Sequence, residues 1–315
     1  MNLLSYEDVV RASLRIENHI KNTPIISNSQ INKILNAQVF FKMDNQQVTN
    51  SFKARGAFNA VLAYYQKHSK FPKKIVVQSS GNHAQAVAYV GKKFNIPVLI
   101  YMANTVSPYK VKLSRQLGAE VVLCEKRSIA NALAEEKQQQ GYFFIHPSDN
   151  DDVIAGQASC AFEALKEIGE VSAIFAPCGG GGLLAGSYLA SQQLSSSAKV
   201  IGCEPLFAND ASNSLKLGKI VGFEDTPPTI ADGARTLKVS PRCFEYLKKI
   251  TGIIEIPEEK IIHWQKYLTE IFKEKIEPTS ALSIAGLELY LQRNFSEQNQ
   301  KFLIIISGGN IIVEN

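Results

Sequence analysis

The sequence predicts an α/β protein on mainly parallel sheets with helices covering both faces, and three observations carry that expectation. Short β-branched runs alternate with helix-period stretches. The runs read as continuously apolar, as parallel strands buried on both faces do. Polar or glycine-rich segments come straight after several of them, where open α/β sheets keep their ligands.

Taken in order, Val39-Phe40-Phe41, Ile75-Val76-Val77, Val98-Leu99-Ile100, Val121-Val122-Leu123, Tyr142 to Ile145, Ala173 to Ala176, Val200-Ile201-Gly202 and Phe302 to Ile306 read as buried strands. Between them Ala84 to Phe94, Pro108 to Leu117 and Ile129 to Gln140 carry apolar residues at helical spacing. No repeat, low-complexity tract or linker separates these units, so a second domain has to be inserted into the first. The segments to search for function are Gln78 to His83, His146-Pro147-Ser148, Pro177 to Gly182 and Ser307 to Asn310.

Composition narrows the classes. A chain of 315 residues with 45% hydrophobic and 20% charged residues has the profile of a soluble globular protein. The net charge of +5 comes from scattered lysines without a basic run, which argues against a nucleic-acid partner. Cys124, Cys160, Cys178, Cys203 and Cys243 are odd in number and form no CxxC pair, which points to a reducing compartment. The N-terminus turns acidic at Glu7-Asp8 before any long apolar stretch, and no apolar run is long enough to cross a bilayer. A cytoplasmic protein without membrane contact is expected.

Cys178-Gly179-Gly180-Gly181-Gly182-Leu183 lies between a strand and a helix. Successive glycines there let backbone N–H groups converge on an anion beside the helix dipole, whereas a mere flexible turn would carry a large entropy cost for no return. No Gly-Lys-Ser/Thr follows, so this is not a P-loop. Glu204 lies in the wrong context for a dinucleotide fingerprint.

Thr49-Asn50-Ser51-Phe52-Lys53-Ala54-Arg55-Gly56-Ala57 resembles the lysine signature of fold-type II pyridoxal-phosphate enzymes, specifically the serine/threonine dehydratase and serine racemase group. The resemblance continues in family order through Ser79 to Gln85, Val153 to Gln157, the glycine loop, Thr229 to Gly233, Glu277-Pro278-Thr279-Ser280 and Ser307 to Asn310. It implies two open, twisted, mostly parallel-sheet domains of the tryptophan synthase β type, with pyridoxal 5′-phosphate in the cleft between them. Residues 1–73 and 150–315 would form the large cofactor domain. Residues 74–149 would form a small inserted domain that closes over substrate.

The resemblance also assigns roles. Lys53 would form the Schiff base with the cofactor and later take the α-proton. Phe52 would pack on the ring, Asn82 would bond its 3′-oxygen, Gly179 to Gly182 with Leu183 would cradle its phosphate, and Gly233 and Glu277 would complete the site. Ser307 would meet the pyridine nitrogen. A serine cannot protonate that nitrogen, so expulsion of a β-hydroxyl is favoured over transamination. Ser79, Ser80, Asn82 and His83 would hold the substrate carboxylate from a strand-to-helix loop, with Thr236 nearby.

Ser80 carries the main ambiguity. Many simple threonine dehydratases have alanine there, while the serine racemases use a serine to protonate the face opposite the lysine. The alternative is a hydroxyl bonded to its local backbone. Glu204, the Ala208 carbonyl and Asp210 match the racemase-like site for magnesium or calcium, which take oxygen ligands and water; a solvated strand end is the other reading. The expected activity is conversion of a serine- or threonine-type hydroxyamino acid to a 2-keto acid and ammonia. Serine racemisation and 3-hydroxyaspartate ammonia-lyase activity stand as alternatives, and a homo-oligomer, simplest as a dimer, is implied.

Departures from the pattern leave the cofactor site intact and bear on which substrate is used. Asn50 stands for the usual glycine, Asp44 for glutamate, Ser148 for the asparagine of many racemases, and Gln157-Ala158-Ser159 for Gln-Gly-Thr. A β-replacement synthase would share the fold, but Ser51 to Ala57 and Ile230 to Gly233 match the dehydratase branch better. A non-catalytic protein would need a lost site, and Lys53, Asn82 and Ser307 are present.

Overall fold

The computed structural model describes residues 3–293 and 300–311. Ten strands form two sheets: β1 Ile25–Ile26, β2 Gln38–Met43, β3 Ile75–Gln78, β4 Val98–Ala103, β5 Glu120–Cys124, β6 Phe143–Phe144, β7 Ala173–Pro177, β8 Lys199–Pro205, β9 Gly252–Ile256 and β10 Lys301–Ile306. The larger sheet runs β1-β2-β10-β7-β8-β9 and the smaller runs β5-β4-β3-β6. Every pairing is parallel except β1 with β2.

All eight expected strands form. The two that the apolar pattern missed, β1 and β9, are the edges of the larger sheet. The layering follows from burial. One face of the large sheet packs Ile174, Ala176, Leu303 and Ile305 against the helices Asp151–Ile168 and Gly182–Leu194; the other packs Phe41, Phe175, Phe302 and Ile304 against the helices Glu258–Phe272 and Pro278–Arg293. In the small sheet Ile75, Val77 and Ile100 face one core, while Val76, Leu99 and Tyr101 face another. The alternation of neighbours between faces is the period-2 geometry of a strand.

The small sheet is built from residues lying between β2 and β7 in sequence, so the chain leaves the large sheet and returns to it. The segments following β2, β3, β6, β7 and β10 hold Lys53, Ser80, Ser148, the glycines and Ser307, and Glu204 lies near the end of β8 itself. In the larger sheet β10 inserts between β2 and β7, so strand order reverses there, where open α/β sheets leave a crevice.

Candidate active site

Lys53 opens the helix Lys53–His68, and buried charge fixes that helix start. The Arg55 guanidinium is fully buried. It donates to Asp44 at 2.6 and 2.9 Å, to Glu163 at 2.7 and 2.8 Å and to Ser159 Oγ at 3.1 Å. Buried Lys42 donates to the same Glu163 at 2.8 Å and to the Thr23 carbonyl at 2.7 Å. Burial would raise Asp44, but the Arg55 and Lys42 cations outweigh it and hold the carboxyl below its usual range. The helix also crosses Asp151–Ile168 at contact distance: a Cβ on Gly156 would lie 2.5 Å from the Arg55 carbonyl.

The loops on either side zip together. Phe52 N–H donates to the Ser307 carbonyl at 3.0 Å, Gly309 N–H to the Asn50 carbonyl at 2.9 Å, and Ser51 bridges Gly308. Asn50 has φ 51°, a left-handed conformation, which explains the glycine usual in the pattern; asparagine is among the residues that tolerate it. Ser307 is thereby brought beside Phe52 and Lys53. Its Oγ lies 3.2 Å from Ser280 Oγ, itself bonded to both polar groups of the Gly308 backbone.

The half-buried Lys53 amine lies 4.8 Å from the centre of the Phe52 ring and donates to the Pro147 carbonyl at 3.1 Å. Burial pushes its pKa down to about 8, opposed by the Cys243 thiol. Phe52, Lys53, Ser148, Gly179 to Gly182, Leu183, Gly233 and Thr279 line one cleft. Among the described residues, the amides of Gly179 to Leu183 donate to no loop carbonyl or side chain. Gly181 has φ +91°, and a Cβ on Gly182 would lie 2.3 Å from Gln157 Oε1, a buried oxygen without a donor. A loop stripped of side chains, with open N–H groups at a helix start and an amine in reach of the same cleft, fits a phosphate-bearing aldehyde.

Opposite stands the loop after β3. Asn82 begins the helix Asn82–Phe94; its side chain donates to Glu277 at 2.8 and 3.0 Å and accepts from Asn310 at 2.9 Å. Glu277 also accepts the Asn310 N–H at 2.9 Å, so it stands behind Asn82 as a support. Burial, with Asp232, pushes its pKa up to about 7. The His83 imidazole turns away from the loop to the Ile145 carbonyl at 2.8 Å, and burial followed by the Lys53 charge depresses its pKa to about 3. Its contribution to a carboxylate is confined to its backbone N–H. Likewise Ser79 N–H is taken by the Tyr101 carbonyl, and Ser79 Oγ accepts Gly81 N–H. The local backbone bond expected as the plain role of Ser80 is thus made by Ser79. Ser80 itself is half-buried and its hydroxyl enters no hydrogen bond among the described residues.

Glu204 and Asp210 come together at the end of β8, both buried. Glu204 accepts the Ala211 and Ser212 amides at 3.0 and 2.9 Å; neither Asp210 oxygen has a partner of hydrogen-bonding geometry. Burial raises both carboxyls, Asp210 to about 7, and Asp210 lifts Glu204 further. Thr236 lies near the glycine loop: its buried hydroxyl has no hydrogen-bond partner among the described residues, and its methyl lies 3.4 Å from where a Cβ of Gly179 would be. No cluster of three His, Cys, Asp or Glu side chains suited to a metal occurs among the described residues. Two carboxylates and a carbonyl remain a donor set that suits a hard cation.

The sequence reading missed the cross-cleft ties: the ion pair of Lys110 with Asp232, and Arg127 donating to the Arg235 carbonyl at 2.8 Å. It also missed the Pro147 carbonyl, which no side-chain pattern reveals.

Fold and cleft together fit an α/β enzyme that works with an anionic carbonyl cofactor. Residues 16–308 match the model of the pyridoxal-phosphate dependent enzyme family, and the chain belongs to that family. It is 37% identical over 313 residues to the L-threo-3-hydroxyaspartate ammonia-lyase of Saccharomyces cerevisiae, covering 98% of this chain and 93% of that one. To the serine racemase of Schizosaccharomyces pombe it is 36% identical, covering 99% and 96%. Among solved structures, the T.th. threonine deaminase superposes with a TM-score of 0.91 at 35% identity, covering 99% of this chain and all of that one. The family is one of ammonia-lyases and racemases of small amino acids, and no described helix is long and apolar enough to cross a membrane.

Proposed function

We propose that this chain is an ammonia-lyase that converts L-serine- or L-threonine-type hydroxyamino acids to a 2-keto acid and ammonia. The observation that carries the reading is the Lys53 amine, depressed to about 8 and facing the glycine cradle, with a serine hydroxyl at position 307. When bound, pyridoxal 5′-phosphate makes the substrate α-proton acidic by spreading the resulting charge. Lys53 Nζ, neutral in a large fraction near pH 8, takes that proton and the β-hydroxyl departs. Amides at the start of the helix Asn82–Phe94 orient the substrate carboxylate, and Asn82 is held for the cofactor by Glu277 and Asn310. The small unit, residues 74–149, closes over the substrate through Lys110 and Arg127.

A second activity, serine racemisation, is supported by the Ser80 hydroxyl, which is unbonded among the described residues and would deliver a proton to the face away from Lys53. Action on 3-hydroxyaspartate is the further alternative, supported by the similarity to lyases of that name. Glu204, the Ala208 carbonyl and Asp210 would hold magnesium or calcium, and a homodimer is the proposed assembly. L-Serine turnover by the cofactor-loaded protein with magnesium, scoring pyruvate and D-serine together, tests the set. Pyruvate alone leaves a dehydratase. D-serine that disappears in Ser80→Ala while pyruvate persists establishes the second activity. Neither product removes serine as substrate and directs assays to threonine and 3-hydroxyaspartate.

A further inference from the structure

Two serines that the glycine motif does not include lie against the anion cradle. Ser148 and Ser240 are 4% and 6% exposed, and their hydroxyl oxygens lie 2.6 Å apart. They come from separate loops, one following β6 and one preceding the helix Pro241–Leu247. Both converge on Gly180. A Cβ there would lie 2.3 Å from Ser148 Oγ and 3.5 Å from Ser240 Oγ, and Ser240 N–H donates to the Gly180 carbonyl at 3.2 Å. Ser148 also lines the cleft with Phe52, Lys53 and the glycines.

Counting hydrogens shows what the pair lacks. Two hydroxyls bring two O–H donors, and their mutual bond uses one. Among the described residues no acceptor takes the other. A buried, unspent donor is costly to leave unmade and is well matched to a charged oxygen. The hydroxyls also lie beside the open amides of Gly179 to Leu183, at the start of a thirteen-residue helix. The second pointer to a ligand is thus independent of that helix end.

We propose that Ser148 and Ser240 form a hydroxyl dyad that binds the phosphate of the cofactor together with the glycine-loop amides. This rests on the pyridoxal-phosphate reading and adds two residues to it. Ser240 relays through Ser148, whose O–H points to a phosphate oxygen; with the dyad reversed, the roles exchange. The dyad ties the loop at 146–150 to the occupied cradle, so cofactor binding fastens one end of the small unit.

The test uses full-length protein stripped of cofactor. Dissociation constants are measured for pyridoxal 5′-phosphate and for pyridoxal, which lacks the phosphate, in wild type, Ser148→Ala and Ser240→Ala. The phosphate ester should weaken about tenfold, the scale of one hydrogen bond to a charged group, while pyridoxal binds as before. The phosphorus NMR line of the bound ester should shift in the same variants. Ser148→Cys and Ser240→Cys keep the volume but replace the hydroxyl by a weak donor, and should show the same selective loss if alanine prevents folding. Equal weakening of both ligands, or of neither, overturns the dyad. The visible band of cofactor joined to Lys53 in wild type checks the underlying reading separately: its absence sinks both, and its presence with unchanged affinity in the variants sinks only the dyad.

Discussion

The two walls of the cleft are held in different ways. On the lysine side, the first turn of the helix Lys53–His68 is anchored by Arg55, Asp44, Glu163 and Lys42, all joined inside the protein and with their hydrogens spent on partners. On the serine side, the loop 79–82 reaches the other lobe through Asn82 and Glu277, with the outer ties Lys110 to Asp232 and Arg127 to the Arg235 carbonyl. In the proposed mechanism the first wall would set the position of the proton acceptor, Lys53, before substrate arrives. The second rests on a few contacts made across the cleft. In the proposed mechanism, positioning one wall by buried charge and the other by a few contacts would let ligands exchange without disturbing the Lys53 amine.

The comparison breaks most sharply at Lys53. Lys53→Ala should lower keto-acid formation by at least about 10²–10⁴-fold, the range of a removed acid–base group, measured with the cofactor added in excess. Next comes its anchor. Arg55→Met leaves buried Asp44 and partly exposed Glu163 against a single remaining cation, Lys42, and should cost about 3–5 kcal/mol of stability in denaturant unfolding; retention of wild-type stability would show that the lysine wall is not charge-anchored.

A pH series sharpens the same point. Attachment of cofactor to apoprotein needs the neutral Lys53 amine, so its rate should rise about tenfold per pH unit up to about pH 8 and then level off. The folded value lies below the ordinary lysine value of 10.5, so across that window the unfolded chain binds more protons. This group's contribution to stability therefore rises with pH between the two values. The smallest effect belongs to the serine wall. Lys110→Ala removes a partly exposed pair worth about 0.2–1 kcal/mol, so KM should rise by no more than about fivefold with kcat nearly constant.

Strand-forming runs and glycine signals made most of the framework legible in the sequence alone. β1 escaped because two residues, Ile25 and Ile26, carry no period, and β9 because Gly252 and Glu255 interrupt an edge strand. Lys53 and the glycine loop, which line one cleft, were readable as local motifs. The anchor was not, since Lys42, Arg55 and Glu163 meet only in three dimensions; a lysine inside the apolar run Val39 to Met43 was the available sign. Ser240 and the Pro147 carbonyl left no comparable trace, because one is a lone hydroxyl in a loop and the other is backbone.

Strand order has a consequence for biosynthesis. The smaller sheet uses residues 75–144 alone, so its pairings can form once that stretch has left the ribosome. In the larger sheet β2 finds its parallel neighbour only in β10, whose pairing joins Gln38 to Lys301. Until β10 is synthesised, β2 and β7 each present an unpaired edge, the kind of surface that invites association with other chains. Contacts so distant in sequence also form slowly. The newly made protein should therefore depend most on chaperones until β10 has been synthesised, with its smaller lobe already folded and Lys53 still without a pocket.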